Sequence, residues 1–231
     1  MRNKLELSIH KNWTFRKASD QKWYQAQVPG CVHTDLLKND IILDPFYGTN
    51  EKDLQWISDE NWEYKTIFNV DNEFLNREVQ LLKFYGLDTY AKVYVNGKLL
   101  IESNNMFHPW EVSVKNIFKL GKNEILVSFD SPIKKILPKM NKMDYELPAD
   151  NDQIKKTSPH TRKAPYHYGW DWGPSFATCG IWQNVEIIGY DLFVIDNVHI
   201  DQKEVRTNSA KIEIIIDISS EIDSEVKLVI V

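Results

Sequence analysis

Only two cysteines, Cys31 and Cys179, occur in the 231 residues, and they show no paired metal-ligand or redox spacing. That excludes a disulfide framework and makes free thiols in a reducing compartment the expectation. Long apolar runs are missing as well. The N-terminal stretch "MRNKLELSIHKNWTF" has no apolar core of signal-peptide length, and no later run is long enough for a bilayer-spanning helix. A cytoplasmic protein is therefore expected. Neither sign of charge dominates: a net charge of -5 gives no reason to expect nucleic acid or an anionic membrane as partner. His10, His33, His108, His160, His167 and His199 are scattered, without the short spacings that bring two imidazoles to one metal. No glycine-rich phosphate loop precedes a helix, and no Gly-x-Ser-x-Gly elbow is present. Neither metal nor cofactor is expected.

What is there in quantity is alternation and tryptophan. "WEYKTIFNV" puts Trp62, Tyr64, Thr66, Phe68 and Val70 on one face, with Glu63, Lys65 and Asn69 on the other. "NEILVSFD" repeats the pattern with Ile125, Val127 and Phe129, and "REVQLLKF", "AKVYV" and "WEVSV" follow it. A period of two means strands with one buried face. Asn96-Gly97 in "VYVNGKLL" predicts a type I′ hairpin turn, and "CVHTDLLKND" after Pro29-Gly30 is the best short helix. Many short strands separated by turns predict an all-β fold, an antiparallel sandwich or jelly roll.

Residues 131–180 interrupt this rhythm. Six of the chain's 9 prolines fall there, and 8 basic against 5 acidic side chains give the stretch +3 within a chain of -5. It reads as a long loop whose first half is solvated and mobile and whose second half is too aromatic for a disordered linker. "GIWQNVEIIGYD" then resumes the strand pattern and closes the sandwich. "FVIDNVHID", "AKIEIIIDIS" and "EVKLVIV" read as strands of a different unit. The division expected is 1–190 for the sandwich and 191–231 for the start of a second, incomplete one. Because Val231 falls inside an apolar strand, a piece of a longer protein is expected.

The ordered end of the long loop carries "YHYGWDWGP", Tyr166 to Pro174. Asp171 is the only acidic residue embedded in an aromatic setting, and no second carboxylate stands out as its partner for glycoside hydrolysis. Two readings stand open. Asp171 accepts hydrogen bonds from sugar hydroxyls while Trp170 or Trp172 covers an apolar sugar face, or the aspartate caps backbone amides and both tryptophans are core. "NNMFHPW" and "DPFYGTNEKDLQWI" read as turns packed by aromatic side chains.

Taken together, "VPGCVHTDLL", "DPFYGTNEKDLQWI", "WEYKTIF", "YGLDTYAKVYVNGKLL", "NNMFHPW" and "RKAPYHYGWDWGPSFATCGIWQNVEI" resemble, in this order, beta-mannosidases of glycoside hydrolase family 2. The resemblance spans roughly residues 12–190 and is most specific through "GWDWGP". The looser "VYVNG" signature is shared with family 2 beta-galactosidases and beta-glucuronidases. The resemblance implies a galactose-binding-like jelly roll, then an immunoglobulin-like sandwich, then a barrel that holds both catalytic glutamates. No catalytic residue is therefore expected within this chain. Asp171 is implied as the residue that reaches the terminal sugar, flanked by Trp170 and Trp172, with Arg162 orienting the loop or its carboxylate. Asn50-Glu51 looks like the Asn-Glu of the family's acid/base but lies in an N-terminal motif, so Glu51 is rejected as catalytic.

The function implied is the N-terminal, non-catalytic part of a retaining exo-acting beta-mannosidase, inactive alone. Its partners would be a terminal beta-mannose and the enzyme's own barrel. Alternatives are a free-standing carbohydrate-binding module, a buttress for the barrel or a homodimer interface, and the galactosidase, glucuronidase or exo-glucosaminidase specificities.

Overall fold

The computed structural model describes residues 4–149, 151, 152, 155–220, 227 and 229. The strands are β1 (Lys4–Ser8), β2 (Thr14–Lys17), β3 (Tyr24–Gln25), β4 (Trp62–Val70), β5 (Val79–Phe84), β6 (Tyr90–Val95), β7 (Lys98–Asn104), β8 (Trp110–Ser113), β9 (Gly121–Phe129), β10 (Val185–Tyr190), β11 (Val194–Arg206) and β12 (Ser209–Ser219). Between them lie the helices α1 (Val32–Lys38), α2 (Asn50–Asp53), α3 (Trp56–Asp59), α4 (Asn72–Leu75) and α5 (Pro132–Met140).

Two antiparallel sheets form the sandwich: a 4-stranded one in the order β1-β10-β5-β8 and a 6-stranded one in the order β3-β2-β4-β9-β6-β7. One continuous core joins them, with Leu82, Phe84, Val185 and Ile187 from the first sheet against Tyr64, Val93, Val127 and Phe129 from the second. The period-two faces explain this directly. In β4, Trp62, Tyr64, Thr66 and Val70 point inward, and in β9 Ile125, Val127 and Phe129 do the same. Burial of these large aromatic and aliphatic side chains drives the packing of the sheets.

The hairpin between β6 and β7 turns at Asn96 (φ 49°) and Gly97 (φ 82°), the positive pair a type I′ turn needs. Helix α1 forms where predicted, and β10 closes the 4-stranded sheet by pairing with both β1 and β5. Strands β11 and β12 make a separate long hairpin with Ile200, Ile212 and Ile215 exposed. Most of the predicted strand "EVKLVIV" lies outside the described residues.

The 131–180 stretch differs from the long loop expected. Its first part is α5, capped by Ser131, whose Oγ accepts from the Lys134 amide at 3.1 Å and donates to the Ser58 carbonyl at 2.6 Å. Pro132 occupies the first turn, where its missing N–H is no loss, and Pro138 falls near the end of the helix. The prolines masked an apolar spacing, Ile133, Ile136, Leu137 and Met140, that is helical. Further on, the Asp152 carboxylate, in a stretch read as solvated and mobile, is buried and accepts from the Thr157 amide at 2.6 Å and the Ser158 amide at 3.0 Å. "DPFYGTNEKDLQWI" likewise contains α2 and the start of α3 where only turns were expected.

Candidate functional site

The segment Trp170–Gly173 is a tight turn closed from both sides. The Trp170 amide donates to the Gly173 carbonyl at 3.1 Å, and the Gly173 amide to the Trp170 carbonyl at 3.3 Å. Asp171 and Trp172 therefore sit at its tip. Trp172 is 81% exposed and Trp170 43%, their rings 5.3 Å apart and tilted by 54°. These are not core tryptophans, and of the two open readings the aromatic plug is not what the fold contains.

The indole of Trp170 stands between two clefts. One, of about 480 Å³, is almost wholly apolar and is lined by Phe46, Tyr166, Trp170, Trp172, Pro174 and Phe176. The other, of about 550 Å³, brings Asp171 together with Glu51, Gln55, Asp152, Lys155 and Ser175. Its three carboxylates differ in what they are free to do. Asp152 is committed to the Thr157 and Ser158 amides, and Glu51 Oε1 to the Ser175 amide at 2.6 Å. Lys155 is held by Asp59 at 2.5 Å. Asp171 is exposed, lines the cleft and has no hydrogen-bond or ion-pair partner among the described residues.

Arg162 does not join this group. Its backbone pairs with Asn105 and Met106, its side chain is exposed, and it lines neither cleft. Among the described residues no hydrogen bond or ion pair links it to Asp171, so the orienting role expected for Arg162 has no contact behind it. The segment after the turn is contacted by Gln55, which sequence reasoning passed over, and by Glu51, which it weighed only as a catalytic acid. Gln55 Nε2 donates to the Ser175 carbonyl at 2.9 Å, so Glu51 and Gln55 hold both polar groups of that residue's backbone. Ile133 of α5 packs beside Tyr168 and Ala177, seating the segment on either side of the turn.

The far end is anchored more deeply. Lys163 Nζ donates to Asp88 Oδ2 and, at 2.8 Å, to the Thr178 carbonyl, with the Lys163 side chain 0% and Asp88 2% exposed. His33 Nδ1 lies 2.9 Å from Thr178 Oγ1. Burial, with the Lys163 charge adding to it, lowers the pKa values of His33 and His167 to about 4. Both imidazoles are neutral at pH 7, so the 3.7 Å approach of His167 to Asp88 is a contact of a neutral ring and not an ion pair. Burial also raises the Asp35 carboxyl to about 6, against the opposing hydrogen bonds from the Gln27 amide and the Tyr64 hydroxyl.

These shifts predict acid lability with a definite sign. Each histidine binds a proton in the unfolded chain below its usual 6.5 but in the folded chain only near 4, so stability is lost as pH falls across that window. Asp35 acts oppositely between 6 and its usual 3.8 and offsets part of the loss. Urea unfolding should therefore give a stability about 2–3 kcal/mol lower at pH 5 than at pH 7. An unchanged midpoint would mean that the imidazoles are protonated in the folded protein.

The sandwich thus presents an aromatic turn and, among the described residues, an unpaired carboxylate beside an open cleft. Residues 13–183 match the family model described as the glycosyl hydrolase 2 galactose-binding domain-like domain, and the chain belongs to that family. Beta-mannosidase B of Thermothelomyces thermophilus is 35% identical over 195 residues, covering 83% of this chain and 22% of that protein. A probable beta-mannosidase of Caenorhabditis elegans is 35% identical over 190 residues, 78% of this chain and 21% of its own length. Among solved structures, the beta-D-mannosidase of Dictyoglomus thermophilum matches with a TM-score of 0.88 and 38% identity, over 94% of this chain and 26% of that one. The beta-D-glucuronidase of the same organism, at 19% identity and a TM-score of 0.60, shares the fold. The chain spans less than a quarter of the length of these two curated relatives. Among the described residues no helix is long and apolar enough to cross a membrane.

Proposed function

We propose that the chain is the N-terminal, non-catalytic part of a retaining, exo-acting beta-mannosidase that hydrolyses terminal beta-mannosides. The observation that carries this is the unpartnered Asp171 carboxylate at the tip of a pinned turn, in a cleft whose other carboxylates are already committed. In this reading Asp171 accepts hydrogen bonds from hydroxyls of the terminal mannose, and Trp170 and Trp172 cover the apolar face of the sugar. The two catalytic glutamates belong to a barrel outside this chain, one forming the glycosyl-enzyme and the other acting first as acid and then as base. The exposed apolar side chains of β11 and β12 support their assignment to the start of an immunoglobulin-like sandwich covering 191–231. The free thiols of Cys31 and Cys179 support a reducing, cytoplasmic setting.

In the full-length enzyme, Asp171→Ala should lower kcat/KM for an aryl beta-mannoside by about 10- to 100-fold, the loss of a charge-assisted hydrogen bond. Unchanged kcat/KM in a folded variant would remove the substrate-contact role. The exposed tryptophans also favour a second reading, a carbohydrate-binding module that works alone. Titrating the tryptophan fluorescence of the isolated chain with mannose and manno-oligosaccharides separates the two, because the first expects no saturable change.

A further inference from the structure

The segment "DPFYGTNEKDLQWI" has no part in contacting sugar under the reading above, and Glu51 is not a catalytic acid. Its geometry nevertheless gives it a task. Glu51, in α2, and Gln55, between α2 and α3, lie four residues apart and meet one residue of the aromatic loop, Ser175, more than a hundred positions away. Glu51 Oε1 takes the Ser175 amide at 2.6 Å, and Gln55 Nε2 gives to the Ser175 carbonyl at 2.9 Å. The same Gln55 Nε2 donates to the Glu51 carbonyl at 2.9 Å, so the two side chains are tied to each other as well. The Ser175 N–H belongs to the peptide before it and the carbonyl to the peptide after it, so the two bonds tether both peptide units that flank Ser175, and neither can turn without breaking its bond.

Ser175 is two residues beyond Gly173, which closes the turn. The Ser175 grip therefore sets the exit direction of the turn that carries Asp171, and Glu51 lines the same cleft as Asp171. We infer that Glu51 and Gln55 are positioning residues that aim Asp171, a role that rests on Asp171 contacting substrate. Glu51 acts as a fixed acceptor in this role. Catalysis depends on such placement because a misplaced contact loses much of its value in the transition state.

The test is a double-mutant cycle in the full-length enzyme with an aryl beta-mannoside, alongside hydrogen exchange of the peptide covering Ser175. Glu51→Ala should lower kcat/KM by about ten-fold and speed exchange in that peptide while the strands of the sandwich keep their protection. Glu51→Gln, which retains an acceptor oxygen, should stay within about three-fold of the parent with the same pH profile. In an Asp171→Ala background, Glu51→Ala should cost almost nothing more, because both changes remove one contact. Full additivity with Asp171→Ala would overturn the inference, as would faster loop exchange with unchanged kcat/KM. If Glu51→Ala does not fold, Gln55→Ala is read in the same cycle with the same outcomes. An Asp171→Ala enzyme of full activity removes the substrate-contact reading first, and the aiming role falls with it. A cycle that is additive while Asp171→Ala is damaging sinks the aiming role alone.

Discussion

Lys163→Met is expected to cost about 3–5 kcal/mol of stability, read as a lower urea midpoint for the 231-residue chain. The replacement keeps most of the aliphatic stem and removes only the ammonium group, so packing changes little. What it leaves behind is the Asp88 carboxylate, 2% exposed and deprived of its cation. The Thr89 hydroxyl, which reaches Asp88 Oδ1 at 2.5 Å, is a dipole and cannot replace a full charge. The Thr178 carbonyl loses its 2.8 Å donor at the same time. A second variant, Lys163→Met combined with Asp88→Leu, separates charge from shape. It should recover part of the loss, because replacing a whole buried pair by apolar groups costs less than orphaning one member. If the single change costs under about 1 kcal/mol, water reaches the site and the pair is not the anchor described.

A comparable loss, about 3 kcal/mol or more, is expected for Gly180→Ala, measured by the same unfolding experiment. Gly180 has φ +154°, and a Cβ there would lie 2.6 Å from the Gly30 carbonyl oxygen and 2.8 Å from Cys31 Cα. Both obstacles are backbone, so no side chain can swing aside. The backbone on each side is also tied: Gly180 exchanges two 3.0 Å hydrogen bonds with Asp88, the Gly30 amide donates to Ile181, and the Val32 amide donates to Cys179. Making room would mean separating the start of α1 from the segment that returns from the aromatic turn. A cost under about 1 kcal/mol would show that this close approach relaxes freely. Both substitutions strike one place, where the loop bearing Asp171 is fastened to the sandwich 75 residues away in sequence from its partner Asp88.

The strands of the sandwich were legible because their information is local. In β4 and β9 each inward residue announces itself by its neighbours being polar, and Asn96-Gly97 carries the conformational preference of its own turn. Helix α5 was hidden, although Ile133, Ile136, Leu137 and Met140 have helical spacing, because two prolines read as breakers. Their positions, one in the first turn and one near the last, make them tolerable.

The aromatic turn was visible as a motif, and the resemblance it carried led to the family that the comparisons then established. Its environment was not visible. That Glu51 is engaged and Asp171 has no partner among the described residues depends on which amide each oxygen meets, and Ser175 lies 124 positions from Glu51. Arg162, close to Asp171 in sequence, pairs through its backbone with Asn105 and does not line the cleft that holds Asp171. By itself, then, the sequence determined the all-β class, the strand faces and the identity of the turn, since hydrophobic periodicity and turn chemistry act over a few residues. Only the tertiary structure decided which carboxylate stays unpaired, since pairing between distant side chains leaves no trace in spacing.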